Sequence, residues 1–97
     1  MQIGLCRLTF HLPGNGSLKG KRQVSHSLLS RIRRRFNVSA AEVEAQEAWQ
    51  TLVVGIACVS NEALHANQML DAVVGYVQEL HLDAELVDVQ RETVAGV

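Results

Sequence analysis

The sequence predicts an α+β domain in which two helices lie on one face of a four-stranded antiparallel sheet. Three observations lead there. Four apolar segments of strand length fall at about 1–12, 36–44, 49–59 and 84–93. Between the first two, and again between the last two, apolar residues recur at helical spacing. Between the second and third there is only a short polar stretch, the mark of a hairpin.

The elements follow in order. In the first strand Met1, Ile3 and Leu5 share one parity, and Cys6, Leu8, Phe10 and Leu12 the other. Pro13-Gly14-Asn15-Gly16 is a loop of turn residues. Ser17 is the N-cap of a helix. Val24, Leu28, Ile32 and Phe36, with Leu18 and Leu29 beside them, form its apolar stripe to about Arg35, and a left-handed Asn37 is expected to end it. The second strand carries Val38 and Val43. Residues 44–47 are a polar turn, and the third strand, from Trp49, is the most apolar. Ser60 and Asn61 are candidate N-caps for the second helix. Its stripe is Ala63, Leu64, Ala66, Leu70, Val73, Val74, Val77 and Leu80. Leu82-Asp83 closes it, and residues 94–97 read as a frayed tail. The order βαββαβ is the ferredoxin-like motif, a two-layer sandwich, here as one domain over residues 1–97.

Composition bounds the class. The chain is 47% hydrophobic with four aromatic residues, which is globular. No apolar run is long enough to span a bilayer and no signal peptide is visible, so the expectation is a cytoplasmic protein without a membrane partner. Cys6 and Cys58 read as core residues in a reducing compartment. The first and third strands are apolar on both parities, whereas a sheet with one wet face should alternate. A homodimer or higher homo-oligomer covering the second face is the expectation.

The net charge of −1 hides a segregation: residues 1–40 hold eight Lys and Arg and no acid, and residues 41–97 hold one Arg and ten acids. Seven of the nine cations fall within residues 19–35. Arg31, Arg33, Arg34 and Arg35 sit at the end of the first helix, where its dipole favours cations. Lys19, Lys21 and Arg22 sit at its start, where the dipole disfavours them. A glycine-rich lead-in, free N–H groups oriented by the Ser17 cap and added cations suit an anion there. Lys19, Arg22, His26 and Arg33 share one stripe, about 21 Å long at ~1.5 Å per residue. The candidate anion or nucleic-acid contacts are therefore Lys19, Lys21, Arg22, Arg31, Arg33 and Arg34. Competing readings are a merely solvated basic face, pairing of the two oppositely charged halves, and a small phosphorylated ligand or acidic protein partner.

Base-stacking aromatics are missing from the central strands, so contact with RNA backbone and shape is expected rather than splayed bases. Trp49 reads first as a core or interface anchor. No spacing for a metal or cofactor is present, and the neighbours Ser25 and His26 point about 100° apart on a helix, a poor nucleophile–base pair. Glu42, Glu44 and Glu47 read as a solvated acidic face. A binding protein, not an enzyme, is expected. The rivals are a dimeric sensor of a small phosphorylated molecule, and an enzyme in which Lys19 or Lys21 shares a pocket with Glu42 or a histidine.

Ser17-Leu18-Lys19-x-Lys21-Arg22, Phe36-Asn37-Val38-Ser39-x-Ala41-Glu42-Val43, Trp49-Gln50 and Val59-Ser60-Asn61 together resemble the bacterial YlxP-like family, short proteins of unknown function. The resemblance spans nearly the whole chain and implies a ferredoxin-like domain. Genes of that family often lie among translation and ribosome-maturation genes, which implies structured RNA or a ribosomal subunit as partner. Glu47 stands where the family usually has Asp, two residues before the tryptophan.

Overall fold

A computed structural model describes all residues, 1–97. The elements are β1 (Gln2–His11), α1 (Leu18–Arg35), β2 (Ser39–Glu44), β3 (Thr51–Ser60), α2 (Ala63–Glu79) and β4 (Glu85–Ala95). The four strands form one antiparallel sheet in the order β2-β3-β1-β4, with β1 and β3 central. This is the ferredoxin-like arrangement the sequence predicts. No helix is long and apolar enough to cross a membrane.

Register explains the core. Cys6 pairs with Ile56, Leu8 with Val54 and Phe10 with Leu52, so all six face the helices together. From α1 come Leu28, Leu29 and Ile32, and from α2 Ala66, Leu70, Val73 and Val77. Each fully buried Leu or Val here contributes about 1.5–3 kcal/mol. Gly4 lets α2 close onto β1: a Cβ there would lie 2.9 Å from Cys58 Sγ and 3.2 Å from a Leu70 methyl.

Several boundaries differ from expectation. Asn37 is not left-handed; α1 ends at Phe36, which is already extended (φ −128°, ψ 146°) and donates its N–H to Ile32 O. The Phe36 ring packs edge-on against Tyr76 of α2, 5.5 Å between centroids, and that tertiary contact sets the exit of the chain. The strand therefore starts at Ser39, not 36. Glu62, not Ser60 or Asn61, is the N-cap of α2, and its side chain makes no cap bond. Ser60 Oγ instead accepts from the Glu62 N–H at 3.1 Å. Leu64 is two-thirds exposed and leaves the predicted stripe. The tail is not frayed: β4 runs to Ala95, and the Gly96 N–H reaches Met1 O at 2.7 Å.

Candidate functional site

The start of α1 is held by its own sequence. Ser17 Oγ accepts from the Gly20 N–H at 3.0 Å, which fulfils the capping expectation. The Asn15 side chain lies over this turn, so close to Gly20 that no Cβ fits between. Asn15 Nδ2 donates to Ser17 O at 2.8 Å and to Trp49 O. The hairpin loop after β2 is thereby tied to the first turn of the helix.

Lys21 completes that tie. Its side chain is only 2% exposed. Nζ donates to Ala45 O, and to Ala48 O at 2.8 Å. Glu42 Oε2 stands 3.1 Å away as the counter-charge, outside hydrogen-bonding geometry. Lys21 is therefore withdrawn from the set of anion contacts. It lies on the buried face of α1 with Ser25, Leu28 and Ile32, at i, i+4, i+7 and i+11. That spacing is the signal in the sequence; its charge argued the other way. Glu42 is likewise not part of a solvated acidic face.

The remaining cations stay outside. Of the nine Lys and Arg, Arg7, Lys21 and Arg91 make the chain's three ion pairs, with Glu44, Glu42 and Asp71. The other six, Lys19, Arg22, Arg31, Arg33, Arg34 and Arg35, all lie on α1, and all are exposed. α1 itself contains no acid. Apart from the buried Lys21–Glu42 pair, the charged halves of the sequence thus do not neutralise each other through this helix.

Several of these side chains are pre-positioned. Arg33 Nε donates to Ala40 O at 3.1 Å, and Nη2 reaches the same oxygen. Arg31 Nε donates to Ser27 Oγ and Arg34 Nε to Ser30 O, both at 3.3 Å. The Arg35 guanidinium sits 4.8 Å from the centroid of the Tyr76 ring. Arg33 at the start of β2 and Lys21 at the hairpin show that α1 runs alongside β2. Of the stripe Lys19, Arg22, His26 and Arg33, Arg33 reaches that strand through Ala40 O.

Trp49 is not a core anchor. It is 54% exposed in the loop ahead of β3. Two main clefts exist, and neither is lined by Lys19, Lys21, Glu42 or a histidine. One, of about 320 Å³, runs beside the start of α1 past Asn15, Gln23 and Asp83, and holds no cation. The other, of about 510 Å³, lies on the open face of the sheet. Its floor is Ala41, Gly55 and Ala57, its apolar walls are Leu5 and Val43, and Arg7, Gln90 and Glu92 line its rim. Arg7 crosses that face to Glu44 at 2.8 Å and to the Gln90 side-chain oxygen. Around it Leu5, Val43, Val59 and Val94 are all exposed.

One titration is shifted. Burial pushes the Cys6 thiol up, and Arg91, its partner across β4, offsets part of that rise.

The chain belongs to the family described as "Protein of unknown function (DUF503)", which matches residues 3–91. It is 39% identical over 62 residues to "Uncharacterized protein YlxP" of Bacillus subtilis (strain 168), covering 64% of this chain and 67% of that protein.

Proposed function

We propose that this protein is a binding module, not an enzyme, which contacts structured RNA, such as a ribosomal subunit, through the exposed face of α1. Lys19, Arg22, Arg31, Arg33 and Arg34 meet phosphates, and the Ser17 cap holds the first turn in place. One observation carries the reading: every cation without an acidic partner lies on this one acid-free helix. A merely solvated helix face gains from i, i+4 acid–base pairs; this one has none. Fixed guanidinium groups such as Arg33 lose less freedom on gripping a phosphate. The neighbourhood of translation genes in the resembling family points the same way. Salt-dependent binding to ribosomal subunits, compared between the wild type and a charge-reversed α1, tests it.

A dimer formed through the open sheet face belongs to the same proposal, because exposed Leu5, Val43, Val59 and Val94 surround the groove there. The groove fits a phosphorylated small molecule poorly. Arg7 is spent on Glu44, Arg91 on Asp71, and Glu92 adds negative charge. The sensor reading is therefore the weaker one. The enzyme reading is weaker as well, since Lys21 and Glu42 meet inside a buried tie and neither lines either of the two main clefts.

A further inference from the structure

A lone exposed aromatic residue is ordinary on a small domain. Trp49 differs in how it is held. Three consecutive carbonyls around it are fixed: Ala48 O by Lys21 Nζ at 2.8 Å, Trp49 O by Asn15 Nδ2, and Gln50 O by the Leu12 N–H at 2.9 Å. Gln50 Nε2 also reaches back to Asn15 O. The backbone that carries the indole is clamped while the side chain is left 54% exposed. Two of the three clamps, Asn15 and Lys21, bracket the Ser17 cap of α1. The loop that carries the indole is therefore tied to the first turn of that helix, where Lys19 and Arg22 are exposed and have no acidic partner.

We infer that Trp49 is a stacking platform for an unpaired nucleobase, set at the end of the basic stripe of α1. This deepens the RNA reading above and rests on it: the RNA would offer an unpaired nucleotide next to a backbone gripped by Lys19 and Arg22. A rigidly presented indole loses little freedom on stacking, and every base has a face to offer, so the contact is tolerant of sequence. The strands lack stacking aromatics, yet a loop supplies one. Only the fold brings that loop to the helix.

Trp49 is the sole tryptophan, so its fluorescence reports on this site alone. The full chain is titrated with a short single-stranded RNA free of self-complementarity, and separately with inorganic polyphosphate, a polyanion without bases. The expected result is strong quenching by RNA and little by polyphosphate. By anisotropy of labelled RNA, Trp49→Ala should weaken RNA binding about five- to a hundred-fold, Trp49→Phe should restore most of it, and polyphosphate affinity should be equal in all three. Unchanged RNA affinity in Trp49→Ala overturns the inference. So does an equal loss for both polyanions, which would mean a disturbed helix, or a change in sedimenting mass, which would mean that the indole serves self-association. Insensitivity of RNA binding to Lys19→Glu with Arg22→Glu, alongside a Trp49 effect, would instead remove the basic-face reading and leave the stacking site standing.

Discussion

Lys21 Nζ stands 3.1 Å from Glu42 Oε2 and points into two carbonyls of the hairpin loop, so a charge at the start of a helix fastens that helix to the β2–β3 turn. A buried ion pair adds little over a well-packed apolar pair, but removing one partner strands the other.

Lys21→Met should cost about 2–4 kcal/mol, because it leaves two carbonyls and a carboxylate without their cation. Adding Glu42→Gln should recover part of that loss. Urea unfolding of the single and double variants measures both. A loss under about 0.5 kcal/mol, within the range of ordinary surface substitutions, would show that the tie is not structural.

Ala45 is the one non-glycine residue with a left-handed backbone, φ 57°. That conformation costs an alanine about 1–2 kcal/mol, and glycine escapes most of it while adding entropy to the unfolded chain. Ala45→Gly should therefore raise the urea midpoint slightly, by an equivalent of about 0.5 kcal/mol. A drop of more than about 1 kcal/mol would mean that the Ala45 methyl makes a contact worth more than the strain.

The buried Cys6 thiol predicts an alkaline weakness. Its proton is held more tightly in the folded chain than in the unfolded one. Its contribution is whole below the unfolded thiol's value of about 8.5 and is lost as pH rises from there through the folded value. Cys6→Val should flatten the decline of unfolding free energy above that pH. Identical slopes for the two proteins would contradict this.

The open face of the sheet makes its own prediction. Leu5→Lys together with Val59→Lys should convert a dimer to a monomer in sedimentation velocity, with the fold retained because both side chains point away from the helices. A wild type that sediments as a monomer across the micromolar range would remove the dimer from the proposal.

Periodicity made most of this architecture legible. The stripes of Leu28, Ile32, Leu70, Val73 and Val77 and the paired parities of Leu8 and Val54 fix helices, strands and their inner faces. The Ser17 cap was legible for the same reason, being local chemistry. Asn37 and Ser60 misled for different reasons: the tertiary contact of the Phe36 ring on Tyr76 accompanies an extended exit, and Ser60 makes a local turn bond to the Glu62 N–H ahead of the helix rather than capping it. Lys21 is buried against expectation, and of the two expected places for Trp49, core or interface, the core is excluded. Charge argued that Lys21 was outside, while the carbonyls that bury Lys21 and carry Trp49 come from a loop distant in sequence from α1. The absence of acids from α1 was visible throughout, but only the fold shows that no acid elsewhere reaches its six outer cations.

We propose that the outer face of α1 grips phosphates. The most direct measurement is equilibrium binding to purified ribosomal subunits at increasing salt, wild type against Lys19→Glu with Arg22→Glu. Each phosphate contact should contribute about one unit of log–log salt slope, somewhat less on single strands. Binding should be tight at low salt, with a slope that falls by about two in the variant while folded Lys21→Met keeps it. No binding at low salt, or equal slopes for wild type and the charge-reversed variant, would contradict it.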